Sequence, residues 1–359
     1  MLVPGFTCIA VPSPILGIGA KPVYVDIDPA TYNMNPVDLA DTISERSRVI
    51  IAQHTFGIPC DMKVIMAIAN KHGIPVIEDT CHVWGAKYDC HELGTLGVAA
   101  FYSYDPGKPF IIGMGGAATV NTCELREKMR SLQSEFEPPA LFETAKLQLQ
   151  YAAYCATKHP RLFWRVRDLY RMLSNSGIAV ATWTSDALEG KLDPDYQKAL
   201  APSLKSRLGR QIAKGDRIIA RHKRLAKQYE TGLRALGLPT LRRDPHADPV
   251  LICYPLQVAA KRDLLSEARK NHVEMGDWFS SPVHPLPEQA WRAVGYRKGD
   301  CPLAETVSER VVTLPCHAGV TQQEANRTLS FLARMKREGL FELASEPTQA
   351  EPLAAASAH

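Results

Sequence analysis

Residues 99–116 read AAFYSYDPGKPFIIGMGG, and this stretch carries the prediction of the fold. An apolar strand pattern ends at Ser103, a lysine, Lys108, follows on a loop, and a glycine cluster closes the segment. Upstream, another strand pattern ends in Asp79. In an open parallel sheet, ligands bind beyond the carboxyl ends of the strands, so Asp79 and Ser103 are expected to reach one crevice.

Strand and helix patterns alternate through the first part of the chain. Asn35 before Pro36 predicts a helix start, and Asn121 with Glu124 resembles a capping box. The predicted elements are strands at 23–27, 48–53, 74–77, 98–103 and 117–120 and helices near 36–44, 61–72 and 122–135. This alternation predicts an α/β fold with a mostly parallel sheet that helices cover on both faces.

The rest of the chain predicts a helical connection and a smaller domain. Residues 140–236 are mainly helical in pattern, which gives a large domain over 1–236. A strand at 250–258, a helix at 261–271 and a capping box at 321–324 predict a small α+β domain over 237–345. The tail at 346–359 is rich in Ala, Pro and Ser, and we expect it to be disordered.

Composition excludes several classes of protein. The chain has 359 residues, 45% hydrophobic, and a net charge of +4, which is too small to indicate nucleic-acid binding. Its nine cysteines have no repeated spacing, which predicts free thiols and a cytoplasmic location. Residues 1–20 carry no charge, but three prolines and the lack of a basic start argue against a signal peptide or a membrane span.

The residues near Lys108 suit pyridoxal phosphate (PLP) chemistry. A lysine forms a Schiff base with the aldehyde of PLP, and a carboxylate such as Asp79 holds the pyridine nitrogen protonated. His82 is placed to bond the phenolic oxygen of the ring, and Ser103 to bind the phosphate. Each residue alone has an ordinary explanation, since strand-end aspartates often cap turns and loop lysines are often solvated. The four residues together favour the cofactor.

Other polar residues give weaker indications. A metal site is not expected at Cys81–His82 or Cys90–His91, because neighbouring side chains on a strand point apart. His54 follows a strand, and it either lines the substrate site or is a buried structural histidine. His284 and His317 are expected to face the substrate from the small domain.

The chain resembles the DegT/DnrJ/StrS-type sugar aminotransferases, PLP-dependent enzymes of aspartate aminotransferase fold type I. The resemblance lies in residues 3–8, 22–28, 54–62, 76–79, 94–97, 103–108, 113–116 and 314–317. It implies that Lys108 bonds PLP covalently, while Asp79, His82 and Ser103 hold its nitrogen, phenolic oxygen and phosphate. It also implies transfer of an amino group, usually from glutamate, to a keto-sugar nucleotide, by a homodimer with the active site at the subunit interface.

The sequence departs from the family pattern in three places. Family members carry a further N-terminal segment, with a helix start that cradles the phosphate. Cys8 stands where the family has an aromatic residue that stacks on the cofactor ring. An Asn-containing loop, which many members lend to the partner subunit, is not recognisable at 203–211. The alternative prediction is therefore a truncated, non-catalytic relative that serves as a binding or scaffold protein.

Overall fold

The computed structural model describes residues 1–157, 197–242, 244–317 and 319–339. The part of the predicted helical connection at 158–196 and the predicted tail at 346–359 lie outside the described residues. The strands are β1 (Leu2–Pro4), β2 (Thr7–Cys8), β3 (Val23–Val25), β4 (Ile27–Asp28), β5 (Asn33–Met34), β6 (Ile50–Gln53), β7 (Val76–Asp79), β8 (Lys87–Tyr88), β9 (His91–Glu92), β10 (Ala99–Ser103), β11 (Gly116–Val120), β12 (Ala247–Asp248), β13 (Cys253–Gln257), β14 (Val283–His284) and β15 (Val311–Pro315).

Helices flank these strands. They are α1 (Pro12–Gly17), α2 (Pro36–Thr42), α3 (Met62–Lys71), α4 (Cys123–Ser134), α5 (Leu141–Thr157), α6 (Pro202–Ile212), α7 (Gly215–Ala235), α8 (Lys261–Lys270), α9 (Pro302–Arg310) and α10 (Gln322–Arg337). Two short 3₁₀ helices lie at Thr55–Gly57 and Glu288–Val294. No helix in the described ranges is long and apolar enough to cross a membrane.

The main sheet has six strands in the order β11-β10-β7-β6-β1-β3. All neighbours run parallel except β11, which pairs antiparallel with β10. The predicted mostly parallel α/β sheet is therefore confirmed. The register places Asp79, at the end of β7, beside Gln53 of β6 and Phe101 of β10. The carboxyl ends of these three strands meet at one edge of the sheet, which positions the candidate site.

Local capping explains most of the predicted helix boundaries. The Asn35 side chain accepts a hydrogen bond from the Val37 N–H at the start of α2. Thr321 and Glu324 form the predicted capping box of α10. The capping box predicted at Asn121 is wrong, because Thr122 caps α4 and the Asn121 amide donates to the carbonyls of Gly94 and Gly97 instead.

The C-terminal part packs onto the main sheet through a shared core. Strands β13 and β15 pair antiparallel, and β14 pairs parallel with β2 near the N-terminus. One hydrophobic cluster contains Phe6 from the N-terminal part, Tyr229 from α7 and Phe331 from α10. The division at residue 237 stays a prediction, and this continuous core ties the two predicted domains together.

Candidate active site

Lys108 lies on the turn between β10 and β11. Gly107 before it has φ of +88°, a left-handed conformation that suits glycine, and the Lys108 N–H donates to the Asp105 carbonyl at 3.2 Å. The Lys108 Nζ lies 4.7 Å from the centre of the Trp278 ring. Within the described ranges, no carboxylate forms an ion pair with Lys108. Its amine is therefore available for chemistry.

Asp79 is a buried carboxylate at the end of β7. Its Oδ1 accepts a hydrogen bond from the Cys81 N–H at 2.9 Å. Burial raises the pKa of Asp79, and the Cys81 hydrogen bonds and the charge of Lys108 oppose that rise. In the part of the chain that is described, no cation lies within ion-pair distance of Asp79. The carboxylate can thus accept a hydrogen bond from a cationic ligand.

The charge of Lys108 reaches side chains from several distant elements. The groups whose pKa it influences are Cys8, Asp79, Cys81, His82, Asp105, Cys253 and His284. Four of the other predicted site residues, Cys8, Asp79, His82 and His284, are therefore among the groups on which the charge of Lys108 acts.

His82 is buried among aromatic rings. Its Nδ1 accepts a hydrogen bond from the Phe56 N–H at 3.2 Å, and its ring lies 4.6 Å from that of Trp278. Burial lowers the pKa of His82 well below its usual value, and Lys108 adds to the effect. With Nδ1 accepting, the neutral ring carries its proton on Nε2. That N–H can donate to an oxygen of a bound ligand.

Ser103 ends β10 close to Asp105. Its Oγ accepts a hydrogen bond from the Asp105 N–H at 3.4 Å. Burial raises the pKa of Asp105, while Lys108 and a hydrogen bond with the Ser103 side chain lower it. The predicted phosphate-binding hydroxyl thus already has a partner. A phosphate that binds Ser103 has to share it with the Asp105 carboxylate.

Cys8 and His284 lie side by side, because β2 and β14 pair with these two residues in register. Burial raises the pKa of the Cys8 thiol. Burial also lowers the pKa of His284 to about 4, helped by the charges of Lys261 and Lys108. His284 Nδ1 accepts a hydrogen bond from the Ser280 N–H at 3.1 Å. His284 is therefore a neutral ring at the site.

His54 and His317 are not among the groups on which the charge of Lys108 acts, although the His54 N–H donates to the Asp79 carbonyl at 3.2 Å. His54 is fully buried, its Nε2 lies 3.2 Å from Glu78 Oε2, and its Nδ1 accepts from the Cys60 N–H. It has the geometry of the structural histidine that the sequence left open, so the predicted substrate contact is not available to it. His317 contacts Glu274 at 2.9 Å and the Gly319 N–H, which are not among the groups around Lys108.

Comparison with known proteins identifies the family of the chain. The model of the DegT/DnrJ/EryC1/StrS aminotransferase family matches residues 1–137 and 168–332. The chain belongs to this family. Its members are PLP-dependent aminotransferases, so the enzyme class and the cofactor expected from Lys108 and Asp79 are confirmed.

Two curated relatives are similar to this family member along most of its length. One is the UDP-2-acetamido-2-deoxy-3-oxo-D-glucuronate aminotransferase of Pseudomonas aeruginosa, 26% identical over 88% of this chain and 74% of its own. The other is the GDP-perosamine synthase of Caulobacter vibrioides, 27% identical over 92% and 78%. A Streptococcus pneumoniae protein solved in its PLP form superposes with a TM-score of 0.71, at 18% identity, over 94% of this chain and 80% of that one. The predicted fold type I is thereby confirmed.

The residues of this family member fit PLP by their chemistry. Among the described residues, Lys108 offers an amine without an ion pair and Asp79 a carboxylate without a cation, and His82 offers an N–H donor. These are the donor types that an aldehyde, a pyridinium nitrogen and a phenolate oxygen require. Within the described ranges, no group of three or more His, Cys, Asp or Glu residues has the geometry of a metal site.

Sequence reasoning missed two residues of this region. Trp278 lies far from Lys108 along the chain, and the only signal was the aromatic pair at 278–279. Glu78 gives no signal in the sequence beyond its position next to Asp79. Because side chains alternate across a strand, Asp79 belongs to the Lys108 group while Glu78 contacts the loop at 94–97.

Proposed function

We propose that this aminotransferase moves an amino group from glutamate to the keto group of a nucleotide-linked sugar. The observation that carries the proposal is the Lys108 amine, which forms no ion pair with the residues that the structure describes and whose charge acts on the buried Asp79. The names of the Pseudomonas and Caulobacter relatives, a nucleotide-sugar aminotransferase and a perosamine synthase, support the sugar substrate.

The side chains divide the work around PLP. When bound, PLP supplies an electron sink for the carbon that carries the migrating amino group. Lys108 acts first as the nucleophile that holds the cofactor and then as the base that moves a proton to and from that carbon. Asp79 would hold the pyridine nitrogen protonated, His82 would donate from Nε2 to the phenolic oxygen, and Ser103 would bind the phosphate. Cys8 packs against the ring.

The lysine also indicates the type of reaction. The family resemblance implies a histidine at this position in relatives that dehydrate sugars, so the primary amine of Lys108 favours transamination. His284, neutral and close to Lys108, is the residue that we assign to the substrate side of the site. A neutral imidazole can bond a sugar hydroxyl without attracting a second cation.

The test is an amino-transfer assay with the PLP-loaded protein. Glutamate is supplied with a panel of UDP-linked and GDP-linked keto-sugars, and formation of 2-oxoglutarate is measured. We expect 2-oxoglutarate beyond one equivalent per active site only when a keto-sugar nucleotide is present, because glutamate alone can aminate the bound cofactor once. Glutamine and alanine replace glutamate in parallel reactions, in which 2-oxoglutaramate and pyruvate are measured. Tight binding of a keto-sugar nucleotide without turnover would instead favour the binding or scaffold alternative.

The proposal includes a homodimer in the cytoplasm. Helix α5 exposes Leu141, Phe142 and Leu149, whose accessible fractions are 90%, 80% and 74%. Apolar side chains so exposed on one helix mark a surface that a partner covers, and a second copy is the partner that the family resemblance implies. All nine cysteines are free thiols, which agrees with a reducing compartment.

Replacing Phe142 with glutamate is expected to weaken this dimer. A charge buried at an apolar interface without a partner costs several kcal/mol, so the dissociation constant should rise on the order of 100-fold. Sedimentation velocity over a dilution series measures it. Lys63→Glu, at an exposed position of α3, is the control. Equal dissociation constants for Phe142→Glu and the wild type would show that α5 lies outside the interface.

A further inference from the structure

The ring of Trp278 lies against the reactive amine although it comes from the far end of the chain. The Lys108 Nζ is 4.7 Å from the ring centre, and the His82 ring is 4.6 Å away. Trp278 is half-buried, whereas its neighbour Phe279 is fully buried and packs on Phe6 at 5.0 Å. Phe279 therefore anchors the segment in the core, and Trp278 supplies the aromatic surface beside Lys108.

A buried lysine ties down the chain on both sides of Trp278. The Lys261 Nζ forms an ion pair with Asp277 at 2.5 Å and donates to the Phe279 carbonyl at 3.4 Å. It also donates to the Ser308 carbonyl of α9 at 2.7 Å. A buried ammonium is stable only when its donors are satisfied, and two of these three partners flank Trp278. Lys261 thus fixes the backbone that presents the indole.

We propose that Trp278 is a binding-site residue that positions the Lys108 amine and forms an aromatic wall of the cofactor pocket, and that Lys261 is its positioning residue. The inference rests on the proposed PLP chemistry. Cys8 stands where the family resemblance places an aromatic residue, so the site receives its aromatic surface from Trp278 instead. A cation over an indole ring is attracted to it, and the attraction grows when water is excluded.

The first measurement is PLP binding. PLP joined to Lys108 absorbs in the range where tryptophan emits, so PLP titration should quench Trp278 emission. Trp278→Leu is expected to raise the PLP dissociation constant about tenfold, and Trp278→Phe by less, because a phenyl ring retains part of the cation attraction. Trp291→Phe, at a buried tryptophan packed on Tyr296, should leave the dissociation constant unchanged.

The second measurement tests Lys261. Lys261→Met keeps the aliphatic length but removes the three polar contacts, and we expect weaker PLP binding together with less quenching of Trp278. Lys270→Met, on the exposed face of the same helix, should change neither quantity. Circular dichroism establishes that each variant is folded. If Trp278→Leu or Lys261→Met fails to fold, PLP binding by Trp278→Phe and the tryptophan emission of PLP-free protein test the role of Trp278 instead.

A third measurement needs no cofactor. In PLP-free protein, Lys108→Met removes the cation from the indole and should change the tryptophan emission, but it should not do so in a Trp278→Phe background. If the wild type binds no PLP but Lys108→Met still changes the emission, the proposed function is contradicted, whereas the contact between Trp278 and Lys108 is supported. If the wild type binds PLP, Trp278→Leu has the same dissociation constant, and Lys108→Met leaves the emission unchanged, the proposed role of Trp278 is overturned. The proposed function would then stand.

Discussion

Lys108→Ala is expected to abolish the visible absorbance band that PLP gives when it is joined to the protein, and to lower kcat by on the order of 10⁴-fold or more. The reason is that the amine serves twice, as the covalent anchor and as the proton carrier. Lys261 cannot replace it, because its Nζ is held by Asp277 and two carbonyls. Absorbance during PLP titration and the glutamate assay measure both effects.

Lys108→Arg separates the charge of the side chain from its nucleophilicity. A guanidinium keeps a cation near Asp79 and Trp278, but it stays protonated and forms no Schiff base. We expect Lys108→Arg to lack the band, as Lys108→Ala does. Lys128→Ala, in an exposed ion pair on α4, should match the wild type. A borohydride-reducible band that persists in Lys108→Ala would assign the covalent bond to another amine.

Glu78→Ala is expected to lower the free energy of unfolding by about 3–5 kcal/mol. The Glu78 carboxylate is fully buried and accepts three backbone hydrogen bonds of 2.7 Å, from the N–H groups of Gly94, Leu96 and Gly97. It also faces the ring of His54. Truncation leaves these buried donors without an acceptor. Urea denaturation followed by circular dichroism measures the loss.

The stabilisation by Glu78 depends on pH in a defined direction. Burial alone would raise the pKa of Glu78, but His54 and the backbone N–H groups of Gly94 and Gly97 hold it below the usual 4.5. A carboxyl group with a depressed pKa in the folded state stabilises the protein above its unfolded pKa, and this contribution is lost as the pH falls through the folded value. The difference between the wild type and Glu78→Ala should therefore shrink below about pH 4.5.

Glu78→Gln separates the charge of Glu78 from its shape, and Glu92→Ala is the control. Glu78→Gln keeps an acceptor oxygen but adds a donor facing the loop, so it should be destabilised by less than Glu78→Ala. Glu92→Ala removes an exposed carboxylate in the same region and should change the unfolding free energy by less than about 0.5 kcal/mol. Equal stabilities of Glu78→Ala and Glu92→Ala would contradict the anchoring role.

Much of the fold was readable from the sequence because short-range signals produce it. The caps at Asn35 and Thr321 form as predicted, since each side chain bonds an N–H two or three residues away. The strand ends at Asp79 and Ser103 were also readable, because apolar runs stop where polar residues begin. Asn121 shows the limit of this reasoning. Its amide bonds two carbonyls of a loop that is adjacent only in the folded chain, and Thr122 caps α4 instead.

The sequence by itself determined the alternation of strands and helices, and with it the edge of the sheet at which Lys108 and Asp79 meet. It also supplied the family resemblance that names their chemistry. Only the tertiary structure decided that Trp278 joins this group, that His284 rather than His317 feels the charge of Lys108, that Ser103 shares its hydroxyl with Asp105, and that His54 is buried. The physical reason is distance along the chain. Periodicity and capping act over a few residues, whereas these contacts depend on how β14 and α8 pack against the main sheet.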